Sequence, residues 1–385
     1  MTFYEDNKEL YDSIPAEKFQ LVQNNEDIHD AAFRTKPIGF FKDVWLRFIR
    51  NKASVIGGII ILIIMVFAAI GPSMNSYTST EQHTDLANMP PKVPWIAKLN
   101  LGIMDGHYTL TKRQYDNIKD TSKYPEGCIL KLKNPRIING VKIVDVVVDY
   151  YKYKGLDDSQ CYWLGSDYLG RDIWTRLWKG TRISLFIALF SVLCNVIIGV
   201  IYGSICGYYG GAVDMVLQRI MEIINAFPRI VVLTLFIMVA GTGMFSLIMA
   251  MVIKGWIPIA RMIRSQFYRF KGHEYVLASR TMGTNDQKLI FRHILPNSIG
   301  PVITQAMMAV PTTIFSESFL AYIGLGLQAP NSSIGVMLST GQKVLMQYPT
   351  QVLYPAIIIS LLMICFNLFG DGLRDAFDPT QRGVS

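Results

Sequence analysis

Residues 273–301 read HEYVLASRTMGTNDQKLIFRHILPNSIGP. This stretch is polar and compatible with helix, yet it lies between two apolar segments that are long enough to cross a bilayer. A chain that only turns around between two spans needs a connection of a few residues. The stretch is therefore either a solvated loop with a surface helix or a docking element that a partner binds on the aqueous side, and we favour docking.

The apolar positions divide this stretch into two halves. Val276, Leu277 and Met282 precede Gly283, which weakens a helix interior by roughly 1 kcal/mol and predicts a break. The second half carries a helical stripe made of Ile290, Phe291, Ile294 and Leu295. Pro296 follows, and because proline lacks a backbone N–H it predicts that this second helix does not simply continue. The layout predicts one short helix that faces outward and a second that leads back into the membrane.

Composition indicates a membrane protein. The chain has 385 residues, of which 51% are hydrophobic and 17% charged, with a net charge of +8. Soluble domains carry roughly 25% charged residues, so an ordinary globular protein is excluded. No basic face with interleaved aromatic residues indicates a nucleic-acid partner. The histidines lack metal-ligand spacing and the phosphate-binding loop motif does not occur, so the sequence predicts no metal site, no cofactor in this chain and no enzymatic activity.

Hydropathy predicts an all-α protein with six spans. Residues 1–52 form a polar tail that ends in an amphipathic interfacial helix over 40–52, and the first span is 53–74. The other spans are expected at 183–213, 214–240, 245–263, 299–323 and 352–370, within a helical core of 183–370. Basic residues before the first span and in the loop 265–297 place both on the cytoplasmic side, together with the tail 371–385.

Residues 75–182 are then expected outside the cell. Asn139–Gly140 separates two β-prone runs, which is a hairpin signal, and predicts a small β-containing insertion between the first two spans, over about 76–158. Cys128 and Cys161 share this segment and form a disulfide or remain thiols, since sequence separation does not show the geometry.

Several blocks of sequence carry a family resemblance. They are FFKDVWLRFIRNK (40–52), WLGSDYLGRDIWTRLWKGTRISL (163–185), WIPIARMIR (256–264), EYVLASRTMG (274–283), RHILPN (292–297), ESFLAYIGLGLQAPNSSIGVML (317–338) and NLFGDGLRDAFDP (367–379). The chain resembles the C-type permease subunit of bacterial oligopeptide and dipeptide ABC importers. The resemblance implies the type I ABC importer permease fold in the bacterial cell membrane. It also implies a homologous second permease, an extracellular solute-binding lipoprotein, and two ATP-binding subunits that hold ATP and Mg.

The same resemblance implies that 265–297 contains the coupling loop, which seats on an ATP-binding subunit. The family pattern has a Glu-Ala-Ala triplet, then Gly, then a later Leu-Pro. Here the triplet reads Leu277, Ala278, Ser279, so its acid is missing, although Glu274 lies one turn earlier. The residues expected to take part are Glu274, Val276, Leu277, Ala278, Arg280, Met282, Gly283, Leu295 and Pro296.

Charges within spans are functional candidates because they are costly in lipid. Lys254 lies near the middle of the fourth span, where it meets a peptide carboxylate in the translocation pathway or pairs with Glu317 or a partner subunit. For Glu317 we favour a pathway-lining or interhelical role. The expected function is peptide import. The alternatives are import of nickel or another small solute, a receptor that displays the insertion, and an ion-driven secondary transporter.

Overall fold

The computed structural model describes residues 39–98, 102, 104–121, 123–157, 160–328 and 330–377. The tail expected before residue 39 and the end of the tail after residue 377 lie outside the described residues. Contacts divide the chain into residues 1–43 and 44–385, and the packing described below belongs to the second unit.

Helices account for most of the described residues. The principal helices are α1 (Phe40–Arg50), α2 (Lys52–Ile70), α3 (Ile173–Tyr209), α4 (Gly211–Ala226), α5 (Arg229–Ala240), α6 (Met244–Gly255), α7 (Ile257–Phe270), α8 (Glu274–Thr281), α9 (Ile299–Tyr322), α10 (Ile334–Gln342) and α11 (Thr350–Phe377). Within the described ranges, five helical segments are long and apolar enough to cross a membrane: 52–73, 173–209, 244–270, 286–322 and 350–377. The pair α4 and α5 passes the same test as one span bent by 80°. The described residues thus contain five unbroken candidate spans, and six if α4 and α5 together form one broken span.

Several boundaries differ from the expected ones. The second span begins at Ile173 rather than 183, because the Asp172 side chain caps α3 by accepting a hydrogen bond from the backbone N–H of Thr175. The third span bends before Pro228, whose ring and missing N–H prevent α4 from continuing. The outer segment before the sixth span contains α10, and α11 extends to Phe377, so 371–377 is helix rather than tail.

The insertion after α2 contains a small antiparallel sheet. Strands β1 (His107–Gln114), β2 (Ile129–Ile138) and β3 (Val141–Asp149) are arranged in the order β1-β3-β2. Asn139 and Gly140 both have positive φ, which confirms the hairpin turn between β2 and β3. The sheet contacts the segment just before α11, where the rings of Tyr108 in β1 and Tyr348 stack with centroids 6.2 Å apart.

The helical core positions the stretch that follows α7. Three glycines of α3, Gly199, Gly203 and Gly207, face α7 so closely that a Cβ at each would overlap atoms of that helix. Their spacing of four residues lets the two backbones approach, as small residues do between membrane helices. On its other side α3 packs in an apolar cluster with residues of α2, α9 and α11, including Ile64, Ala188, Val310 and Leu362. The end of α7 is therefore held firmly against α3.

Candidate functional site

The stretch 273–301 forms a helix, a tight turn and a second helical run. Helix α8 ends at a turn in which Gly283 adopts φ +82°, a conformation that favours glycine. An added Cβ at Gly283 would meet nothing within 4 Å, so the requirement is conformational and not one of space. A further turn (Asp286–Lys288) leads into a wide helical turn (Leu289–Ile294), a tight one (Leu295–Ser298) and then α9.

The expectation that the helix before Pro296 does not simply continue agrees with a change of helix type, since the wide turn ends at Ile294 and a tight turn begins at Leu295. Pro296 occupies one of the first positions of the turn Leu295–Ser298, where its missing N–H breaks no ladder, and the helical run continues into α9. The second half of the stretch is therefore the beginning of the fifth span. Motion of α8 would pass to α9 through this helical run.

Val276 was expected to take part in seating the coupling loop on an ATP-binding subunit, but it is not exposed. Its side chain is completely buried, in a cluster with Phe267 of α7, Tyr208 of α3, and Leu289 and Ile294 of the following run. Because none of its surface is accessible, Val276 anchors α8 to its own chain and contacts no partner. Leu277 and Met282, by contrast, are 45% and 80% exposed, and Glu274, Ala278 and Arg280 are exposed as well.

Polar contacts reinforce this anchor. The hydroxyl of Tyr208 donates to Oδ1 of Asp286 across 2.5 Å, and the Arg280 guanidinium lies 5.4 Å from the centre of the Tyr208 ring. The Asn297 amide donates to the hydroxyl of Tyr275 at 3.2 Å. Helix α8 is thus fixed to α3 and to the run that enters α9, while its other face remains open.

Lys254 lies at the broken span and makes no contact with Glu317. Its ammonium donates to the carbonyl oxygens of Asn225, at 3.2 Å, and of Phe227, at the end of α4. These carbonyls lack helical partners because α4 stops at the bend, and a cation is favourable at such a helix end. Of the alternatives left open for Lys254, pairing with Glu317 does not occur in this structure.

Glu317 is completely buried between α3 and the outer segment. Its Oε2 accepts a hydrogen bond from Ser184 of α3 at 3.0 Å, and the Ser184 hydroxyl accepts one from the backbone N–H of Ile334 at 3.2 Å. Of the two roles considered for Glu317, the contacts correspond to the interhelical one. In this conformation no surface of Glu317 is available to line a pathway.

The cysteines considered for a disulfide are not bonded to each other. Cys128 is a thiol within the core of the insertion, together with Leu110, Tyr124 and Val146. Cys161 is also a buried thiol, in the segment that leads to α3. Burial raises the pKa of the Cys128 thiol.

Two carboxylate contacts were not predicted from sequence. Asp214 of α4 accepts two hydrogen bonds of 2.6 Å from the Arg264 guanidinium of α7, which ties the broken span to the helix that precedes α8. Asp167 accepts from Arg171 at 2.8 Å within the SDYLGRD turn. The charge of each of these residues is evident from the sequence, but only the fold shows which charges meet.

Comparisons with known proteins agree with this architecture. Residues 39–91 match the N-terminal TM domain of oligopeptide transport permease C, and residues 199–383 match the binding-protein-dependent transport system inner membrane component. A dipeptide transport system permease, DppC of Bacillus subtilis, is 33% identical over 97% of this chain and 96% of its own length. The chain belongs to the DppC/OppC permease family.

Other members of the DppC/OppC family give similar matches. The oligopeptide transport permease OppC of Bacillus subtilis is 35% identical over 90% of this chain and 92% of its own. The dipeptide permease DppC of Lactococcus lactis is 36% identical over 89% of this chain and 91% of its own. A chain of the MetNI methionine ABC transporter, solved in inward-facing conformations, matches with a TM-score of 0.44 and 18% identity, over 53% of this chain and 96% of that chain. As a DppC/OppC permease, the protein is a multi-pass, non-catalytic membrane subunit of a transport system.

Proposed function

We propose that this chain is one of two homologous permeases in a bacterial importer that carries dipeptides or oligopeptides into the cytoplasm. Two partner subunits bind ATP and Mg and drive transport, and an extracellular solute-binding lipoprotein delivers the peptide. The named substrates of the three relatives support the peptide class, and their match over nearly the whole chain supports a common role.

One structural observation carries the proposal for coupling. Helix α8 is fixed to the core by Val276 and by the Tyr208–Asp286 contact, but it presents Leu277 and Met282 to solvent beside charged Glu274 and Arg280. Exposed apolar side chains with a charged rim mark protein interaction sites. An ATP-binding subunit seated on α8 would move α9 directly, because the helical run from Asp286 into α9 is unbroken.

Substitutions on this surface test the coupling proposal in the assembled importer. We expect Leu277→Glu and Met282→Glu to reduce recovery of the ATP-binding subunits with the permease by roughly tenfold, since central apolar contacts dominate such interfaces. Met346→Glu is the matched control, because Met346 is 97% exposed but lies near the insertion. Unchanged recovery in both α8 variants would contradict docking at this surface.

The proposed orientation places α8 in the cytoplasm and the insertion outside. Cysteines introduced at Thr80 and Gln287, both exposed, distinguish the two sides of the membrane. A membrane-impermeant maleimide should label Thr80→Cys in intact cells, but Gln287→Cys only after permeabilisation, with the unsubstituted chain as background. The opposite labelling pattern would show that the chain has the opposite orientation in the membrane.

A further inference from the structure

The bend of the broken third span places two cationic residues close to one another, since Lys254 is bonded to the carbonyl of Phe227, two residues before Arg229. Arg229 begins α5 directly after the bend, and the ammonium of Lys254 is bonded to carbonyl oxygens of residues just before it. Two like charges in membrane-spanning helices require a compensating anion, because charge is costly within a bilayer.

Within the part of the chain that the structure describes, no carboxylate supplies that compensation. Among the described residues, neither Arg229 nor Lys254 has an Asp or Glu oxygen within 4.0 Å. Arg229 makes no hydrogen bond with any described residue, although a guanidinium has five N–H donors. Lys254 uses two of its three ammonium protons on the carbonyls of Asn225 and Phe227 and retains one. Both side chains therefore have donors available for an anion.

Lipid tails would be costly neighbours for the two cations. Phe227 and Ile230, on either side of the bend, are exposed, so this face is open in the isolated chain. Irregular backbone at membrane depth is tolerated only where it is covered by protein or lines a water-filled cavity, and charged side chains follow the same rule. The bend with its two cations thus faces either the second permease or the translocation pathway.

We propose that Arg229 and Lys254 form a site in the translocation pathway that binds the free C-terminal carboxylate of the peptide. This inference rests on the proposed function and assigns a recognition role within it. A peptide in transit carries one carboxylate at its end whatever its sequence, so a site for that group accepts many peptides. The guanidinium supplies planar paired donors for the two carboxylate oxygens, and the remaining ammonium proton adds a charge-assisted hydrogen bond.

The test compares two forms of one peptide in the complete importer with its binding protein. Uptake of tetra-alanine and of tetra-alanine C-terminal amide is measured in proteoliposomes, and the acid-to-amide ratio is determined for each permease variant. The ratio cancels differences in assembly and in the amount of protein. Since all variants use the same binding protein, a change in the ratio reports on the permease.

We expect Arg229→Met and Lys254→Met each to lower the acid-to-amide ratio by roughly tenfold, the effect of one lost charge-assisted contact. Lys254→Arg should retain most of the ratio. Arg229→Met is the cleaner variant because it removes no hydrogen bond within the described residues, whereas Lys254→Met also uncaps α4. Arg219→Met, at an exposed basic residue of α4 paired with Glu222, is the matched control and should leave the ratio unchanged.

Two other outcomes separate failure of the proposed function from failure of the carboxylate site. If the unsubstituted importer carries neither form of tetra-alanine and does not carry di-alanine either, the proposed function itself fails. If it imports peptide but both Met variants lower acid and amide uptake equally, the two cations serve the bend or an acidic residue of the second permease. That result would overturn the carboxylate site while leaving peptide import intact.

Discussion

The hydroxyl of Tyr208, two residues before α3 reaches its Gly210 cap, donates to Oδ1 of Asp286, at the start of the helical run that becomes α9. This contact joins the second span to the fifth at the base of α8. The Tyr208 ring also lies in the cluster that contains Val276. One side chain therefore connects the exposed helix to both spans that would move with it.

Tyr208→Phe isolates the contribution of the hydroxyl, because the ring and its contact with Arg280 remain. Loss of one partly exposed hydrogen bond, about 0.5–1.5 kcal/mol, should lower peptide uptake per ATP hydrolysed by roughly two- to tenfold. Uptake and hydrolysis are measured together in proteoliposomes. Tyr209→Phe is the control, since Tyr209 is exposed at the same helix end; an equal effect in both variants would count against coupling through Tyr208.

Val276→Ala and Leu277→Ala should separate anchoring from docking. Val276 is completely buried, so its truncation leaves a cavity and should lower the free energy of unfolding by about 1–3 kcal/mol, measured on the purified permease. Leu277→Ala should leave that stability nearly unchanged and weaken recovery of the ATP-binding subunits. The reverse pattern would place Val276 at the partner interface.

Substitution of Gly283 tests its backbone conformation. At φ +82° a residue with a Cβ is strained by roughly 1–2 kcal/mol, and a β-branched residue is the least tolerant. Gly283→Val should therefore reduce peptide uptake and complex assembly, whereas Gly283→Asn should retain most of both. Unchanged values for Gly283→Val would show that the turn has no special requirement.

Neutral variants of Glu317 distinguish an interhelical role from a pathway role. Glu317→Gln keeps an acceptor for Ser184 and should transport at close to the normal rate, with membrane levels controlled. Glu317→Leu leaves the buried Ser184 hydroxyl without this partner and should lower the free energy of unfolding by about 1–3 kcal/mol. A folded Glu317→Gln permease that no longer transports would return Glu317 to the pathway.

The thiol state of the insertion is directly measurable. After denaturation without reductant, both Cys128 and Cys161 should be alkylated, as mass spectrometry of the peptides will show. In the folded protein Cys128 should react slowly, because its thiol is buried and its pKa is raised. A peptide pair linked through these cysteines would contradict the structure.

The local features of the stretch 273–301 and of the insertion were predictable because they depend on neighbouring residues. Gly283 ends α8 through its own conformational freedom, and Asn139–Gly140 forms the hairpin turn through the same property. Pro296 was predicted to change the helix, and it does, but the run still continues into α9. Proline breaks a helix in its interior but is tolerated in its first turn. The new turn begins at Leu295 because Leu289 and Ile294 are packed in the cluster that contains Val276.

Contacts between distant residues were not predictable in this way. Both Val276 and Leu277 are apolar and adjacent, yet one is buried and the other 45% exposed, because only α8's position against α3 and α7 decides which face is inward. For Lys254 the sequence left open a peptide carboxylate, Glu317 or a partner subunit. The bend at Pro228 instead brings the end of α4 to its ammonium.

The sequence by itself determined that this chain crosses a membrane about six times, that a polar helical stretch interrupts it between the fourth and fifth spans, and which family it resembles. Hydropathy and short motifs are properties of the chain read locally, so no fold is needed to recognise them. The tertiary structure alone decided which charges are paired, which apolar residues of α8 remain open, and that Lys254 bonds to the carbonyls at the bend just before Arg229. Those outcomes depend on the approach of helices far apart in sequence, which the glycines of α3 and the bend at Pro228 permit.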